Sequence, residues 1–281
     1  MIELKSFAKI NLGLEILGKR EDGYHNLKTI FQTIDLHDTL EIKENSSRAI
    51  SLGGDDPTVE WGPTNTISRT IDMIYKKYDL RQGFDIFVKK RIPAGSGLGG
   101  GSSNAAVLLL FLDEYFRLNL KREQLIALGT QIGADVPFFL LGGTVKAEGI
   151  GEKMTPLEDL EKKQVMIVVP PLQVSTGLIF FHFSLTSKPI QSKIDTFITS
   201  RNPGILENHL EKTTFKLFPE VKKIKNKMQS MGFELVLMSG SGSAVFGVPG
   251  PGMKGEQVFP VLEKDLPGFR VMMTGMIGRQ D

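Results

Sequence analysis

Five glycines and three serines fill eight of the nine positions from Gly95 to Ser103, within the run RIPAGSGLGGGSSNAA. Glycine lets a backbone come close to a ligand, at an entropic cost. So many at one place imply N–H groups that face something. Phosphate fits best, because a glycine loop opening a helix presents free N–H donors and the positive end of a dipole. Ser102 and Ser103 can add hydroxyl donors, or a ligand for Mg2+. Pro93 and Ala94 lead the chain into the loop. Gly95 to Gly100 spell G-x-G-x-x-G, yet Pro93-Ala94 separates the preceding strand from the first glycine. A dinucleotide loop also wants an acid about 20 residues on, and the residue there is Leu120. The G-x-x-x-x-G-K-[ST] loop needs lysine where Gly101 stands. The reading left is a polyphosphate loop whose positive charge comes from elsewhere. A hinge or plain turn is the alternative, though turns rarely need so many glycines.

Other candidates lie outside the loop. Asp135, in GADVPFF, precedes Pro137 at the start of a helical turn. It suits an N-cap or a carboxylate that takes a proton. Lys9 falls on the polar parity of an alternating strand, where a surface lysine is the simplest expectation. Asn11 shares its face. Tyr24 and His25 sit in a DGYH turn, where such side chains are usually solvated. Thr176 and Phe180 lie in VSTGLIFFHF, and core packing is a rival role for Phe180 beside Phe181 and Phe183. Histidines 25, 37, 182 and 209 have no ligand spacing, so no histidine metal site is expected.

The elements that must position these residues follow from periodicity. ELKSFAKINLGLEI reads as a strand with Leu4, Ala8, Ile10, Leu12 and Leu14 on one parity. DGYHNL turns the chain into a second strand. Residues 45–63 read as a polar surface loop. A helix follows from Ile67 to Tyr78, with Thr64 or Asn65 as N-cap. GFDIFVKKRI is the strand before the glycine loop, and SSNAAVLLLFLDEYFRL the helix after it. KREQLIALGTQIG is another helix. Beyond a composition shift near 150–165 come the strand QVMIVVP, one helix over 215–232, the strands FELVLMSG and AVFGV, the helix GEQVFPVLEKDL and the strand FRVMMTGM. That order is β-α-β-β-α-β, an α+β sandwich pattern.

The chain has 281 residues, 41% hydrophobic and 23% charged, with formal net charge +2 and no cysteine. The length suits two domains, and the small charge offers no field for nucleic acid or an anionic membrane. Without cysteine there is no disulfide, thiolate metal site or cysteine nucleophile. No signal or transit segment and no spanning apolar run is read, so a cytoplasmic protein with no nucleic-acid or membrane partner is expected.

Three motifs in order resemble those of the GHMP small-molecule kinases, the family of galactokinase, homoserine kinase and mevalonate kinase. They are FAKINLGLEILGKREDGYHNL (7–27), the glycine loop, and SGSGSAVFG (239–247). With GADVPFFLLGGTVKAEGIGE (133–152), they are similar to one branch of that family, whose substrate is a cytidine diphosphate linked to a polyol. Phe7 and Ser243 stand where the family often has proline, and neither change removes a functional group. The resemblance implies an α+β two-domain GHMP kinase fold. Residues 1–152 would form an ATP-binding and catalytic domain, ribosomal-protein-S5-domain-2-like, with a left-handed β-α-β crossover. Residues 153–281 would form a ferredoxin-like sandwich contributing to the substrate site. It implies ATP-dependent phosphorylation of the polyol's C2 hydroxyl. Asp135 would act as base and Lys9 as its charged partner. Pro93 to Ser103 would hold ATP, with Asn65 near the adenine, and Ser103 would be a ligand of the accompanying Mg2+. Asn11 would bind the polyol hydroxyls, and Tyr24, His25, Phe180 and Thr176 the cytidine end. A monomer or weak homodimer is expected. Another GHMP kinase, of homoserine or mevalonate type, is the near alternative. An inactive nucleotide-binding homologue and a dehydrogenase are the distant ones.

Overall fold

A computed structural model describes residues 1–184 and 192–279. Two compact units emerge from the contacts. One comprises Met1–Ala8, Leu36–Ala94 and Gly99–Leu141; the other comprises Lys9–Asp35, Gly95–Leu98 and Gly142–Asp281. Each unit is assembled from separate stretches and not from the residues on one side of a single boundary between 152 and 153. Among the described residues no helix is long and apolar enough to cross a membrane.

β1 (Ile2–Lys19) and β2 (His25–Asn45) form a long hairpin. Its turn is closed by the Arg20 N–H donating to the Tyr24 carbonyl at 2.8 Å. In the first unit, Thr39–Asn45 of β2 pair antiparallel with β4 (Gly83–Lys89). β3 (Ile50–Gly54) pairs parallel with β4 and connects to it through α1 (Thr66–Tyr78), a β-α-β unit. The expected loop over 45–63 is therefore partly strand. Its short apolar content, Ile50 and Leu52, packs onto the core of Ile42, Ile71 and Ile86. Gly54, which looked like a loop residue, is bare because the Trp61 ring occupies the space of a β-carbon.

α2 (Gly100–Tyr115) is apolar nearly all round, as befits a helix buried on most sides. α3 (Arg122–Ile132) and α4 (Val136–Leu141) pack beside it, with Ala105 and Ala106 of α2 against Ile132 and Val136. The segment leading from β4 to the glycine loop is fixed by fully buried Asp38. Its Oδ1 accepts the N–H groups of Arg91 (2.7 Å) and Ile92 (2.8 Å), and its Oδ2 pairs with Lys90 Nζ at 2.6 Å.

In the second unit, Leu27–Gln32 of β2 pair with β5 (Thr144–Gly149), which pairs with β6 (Lys153–Pro156). β7 (Gln164–Val169) is followed by α5 (Thr176–His182), α6 (Lys193–Ser200), a 3-10 turn (Pro203–Ile205), α7 (Glu211–Leu217) and α8 (Pro219–Ser230). β8 (Leu235–Met238), β9 (Val245–Val248), α9 (Gly255–Asp265) and β10 (Arg270–Gly275) complete the chain. The antiparallel sheet runs β10-β7-β9-β8, the ferredoxin-like order expected of β-α-β-β-α-β. Met166 and Val168 of β7, Ile224 and Met228 of α8, Val245 of β9 and Leu262 of α9 share its core. The single helix expected over 215–232 is two. Pro219 lacks an N–H and sits at the start of α8, where none is needed.

Strand β1 carries a second correction. Both of its parities are buried from Ala8 to Ile16, so Lys9, Asn11 and Glu15 lie inside the protein. Removing one partner of a buried ion pair costs about 3–5 kcal/mol. Asp38→Ala is expected to lower unfolding free energy by about that amount, read by urea denaturation; a loss of less than about 1 kcal/mol would contradict the role given to Asp38.

Candidate active site

Positive φ values at Gly95 (64°), Gly97 (80°) and Gly99 (77°) give the loop its path, a conformation that suits glycine. Gly97 is doubly constrained, because a β-carbon there would collide with the Ser239 carbonyl. Four successive loop carbonyls are occupied by protein donors. The Val174 N–H donates to Gly95 O (3.4 Å), the Ala244 N–H to Ser96 O (2.9 Å) and the Lys9 N–H to Leu98 O (3.0 Å). Ser239 Oγ donates to Gly97 O at 2.9 Å. The groups that would repel an anion are thus bound within the protein. The third motif makes two of these bonds, through Ser239 and Ala244.

Gly99, at the N-cap of α2, offers no side-chain acceptor, and the first turn carries no acid. The opening N–H groups of a helix have no partner within it, so this end suits a polyphosphate. Ser103 is buried and Ser102 half-buried. Thr66 Oγ1 donates to Gly101 O at 2.8 Å, which ties the start of α1 to this turn. Asn65 itself is the N-cap of α1. Its Oδ1 accepts from the Ile67 N–H (3.0 Å) and its Nδ2 donates to Glu60 O (2.7 Å). Asp135 is half-buried immediately before α4, and its carbonyl accepts the Phe138 N–H at 3.2 Å.

Lys9, expected at a surface, is 3% exposed. Its Nζ donates to Asn11 Oδ1 at 2.6 Å and lies 5.0 Å from the centre of the Phe31 ring. A buried ammonium is costly unless partnered, and both contacts favour the charged form. Thr29 and Phe31, two apart on β2, were not singled out in the sequence. Their shared parity opposite Lys9 and Asn11 was the available signal.

The aromatic candidates gather at the other end of the hairpin. The His25 ring lies 5.3 Å from Phe180 and 6.0 Å from Phe183, the latter edge-on. Phe180 also packs on the core of this unit, whereas Phe181 is largely exposed. Tyr24 is 62% exposed beside His25, and its N–H is held by Asp22 Oδ1 at 3.1 Å. Thr176 Oγ1 shares a 2.9 Å hydrogen bond with Ser241 Oγ of the third motif. Burial, aided by the positive charge of Lys19, lowers the His25 pKa below its ordinary 6.5. Among the described residues, no cluster of three or more His, Cys, Asp or Glu could hold a metal ion.

The fold and the loop define a class of enzyme. Family models describing the N-terminal and C-terminal domains of GHMP kinases match residues 65–143 and 198–267. The chain belongs to the GHMP kinase family, and it is a small-molecule kinase. Among curated relatives, a 4-diphosphocytidyl-2-C-methyl-D-erythritol kinase from Citrifermentans bemidjiense is 40% identical over 88% of this chain and 89% of its own. The protein of the same name from Clostridium beijerinckii is 37% identical over 94% and 96%. The crystal structure of a 4-(cytidine 5'-diphospho)-2C-methyl-D-erythritol kinase superposes with a TM-score of 0.83 at 34% identity, covering 99% of this chain and 100% of the other. A homoserine kinase from Cytophaga hutchinsonii shares the fold at 16% identity, TM-score 0.74, over 99% and 96%.

A histidine whose folded pKa is lowered binds its proton later than the unfolded chain does. Stability is then full above about pH 6.5 and declines as pH falls toward the folded pKa. The His25 ring signal in NMR is expected to titrate below 6.5, with a neutral imidazole at pH 7; a midpoint at or above 6.5 would contradict the burial argument.

Proposed function

We propose that the protein transfers the γ-phosphoryl group of ATP to the C2 hydroxyl of 4-diphosphocytidyl-2-C-methyl-D-erythritol, in the non-mevalonate route to isoprenoid precursors. The observation that carries the substrate choice is the ring cluster of His25 and Phe180 beside exposed Tyr24. Such rings offer faces to a nucleobase, and base stacking contributes roughly 1–3 kcal/mol. A neutral His25 has one donor and one acceptor nitrogen, which suits the edge of a cytosine. Homoserine and mevalonate have no base for these rings to hold. The names carried by the curated relatives point the same way.

In the proposed chemistry the hydroxyl oxygen attacks the γ-phosphorus, the bond to the β-phosphate oxygen breaks, and ADP leaves. Asp135 takes the hydroxyl proton. Lys9 supplies the positive charge that a loop without lysine lacks. Pro93 to Ser103 would hold the phosphates through backbone N–H groups and serine hydroxyls, and Asn65 would lie at the adenine end. Mg2+ would arrive with ATP, neutralise phosphate charge and use one or two protein oxygens at most, with Ser103 as the candidate. Asn11 would lie along the polyol, and Thr176 would touch the cytidine end with Phe180.

ADP release coupled to a reporter reaction is the test, with the cytidine diphosphate substrate beside homoserine and mevalonate. Turnover with the first alone is expected. Turnover with only homoserine or mevalonate would sink the substrate assignment, and His25→Ala with Phe180→Ala is expected to raise KM for the cytidine substrate while leaving KM for ATP unchanged.

A further inference from the structure

Lys9 is held by a hydrogen-bond chain that has a direction. Thr29, 1% exposed, donates its single hydroxyl hydrogen to Gly13 O at 2.6 Å. The Thr29 oxygen can therefore only accept on its other side. Asn11 Nδ2 donates to it at 2.8 Å. With the NH2 end of the amide committed to Thr29, Asn11 Oδ1 must point the opposite way, where Lys9 Nζ donates to it at 2.6 Å. A flipped amide would set NH2 against an ammonium, donor against donor. Ser239 Oγ lies on the same amide, 3.4 Å from Asn11 Oδ1, but its hydrogen goes to the nearer Gly97 O at 2.9 Å. The remaining lone pairs of Ser239 Oγ would favour the opposite orientation, but at 3.4 Å this contact is outweighed by the 2.6 Å bond from Lys9 and the 2.8 Å bond to Thr29.

We infer that Thr29 is a positioning residue for phosphoryl transfer: through its hydroxyl it fixes the Asn11 amide, and through Asn11 it aims Lys9. The inference rests on the catalytic role proposed for Lys9. It also gives Asn11 a task apart from any contact with the substrate, because both ends of its amide are engaged within the protein. The next threonine on β2, Thr33, donates its hydroxyl to Gly143 O at 3.3 Å, away from Asn11.

Thr29→Val removes the hydroxyl while keeping the shape, and Thr29→Ser keeps the hydroxyl. Leaving a buried donor unsatisfied corresponds to roughly a ten- to hundredfold loss. Thr29→Val is expected to lose that factor in kcat with KM for ATP nearly unchanged, and Thr29→Ser is expected to restore kcat. Thr29→Ala is the second variant should the valine protein fail to fold, with the same split expected. A merely structural threonine would lower thermal stability in both variants and leave kcat per folded molecule intact; that result, beside a Lys9→Ala protein that has lost activity, would overturn the inference while sparing the role of Lys9. A Lys9→Ala protein with full kcat would instead remove the assignment on which the inference stands, and both would fall.

Discussion

Everything at the candidate site depends on four carbonyl groups being occupied. The oxygens of Gly95, Ser96, Gly97 and Leu98 each accept a hydrogen bond from the protein, two of them from the SGSGSAVFG segment. A loop with free carbonyls would present negative partial charge to any phosphate. The first turn of α2, which carries no acid and whose opening N–H groups have no partner within the helix, suits an anion. The glycines serve this arrangement directly. Gly97 needs both its positive φ and its missing β-carbon to lie against Ser239.

The second consequence concerns charge. A loop of this kind binds through dipoles, and dipoles alone neutralise little of a polyphosphate. Lys9 is bonded to the loop through its own backbone N–H, and its ammonium is buried with Asn11 and Phe31. One residue thus contributes to the shape of the loop through its main chain and, as proposed, to the chemistry through its side chain. Fixing such a group in advance means that little reorganisation is needed at the moment of reaction.

Much of this was legible in the sequence, for physical reasons. The glycine loop announces itself by composition, and the missing lysine directs attention elsewhere. The β-α-β-β-α-β order of the second unit follows from clean changes of period, and the sheet order agrees with it. The burial of Lys9 was not legible. Alternation says which residues share a face but not which face is wet, and β1 is covered on both. β3 was hidden because five residues ending in Gly53-Gly54 carry too little pattern, and the partner that requires Gly54, the Trp61 ring, is invisible in one dimension. The break before α8 could have been read from Pro219. The chain from Thr29 through Asn11 to Lys9 could not, since it depends on which lone pair a hydroxyl has left.

The central claim is that Lys9 and Asp135 carry the chemistry while the loop carries the binding. Single-turnover phosphoryl transfer, measured by rapid quench with ATP affinity from calorimetry, separates the two directly. Lys9→Met and Asp135→Asn are each expected to slow transfer by at least about a hundredfold, the scale of a lost general base or charge, with ATP affinity within about tenfold of the original. Transfer at near-native rate in either variant, with ATP still bound, would contradict the account.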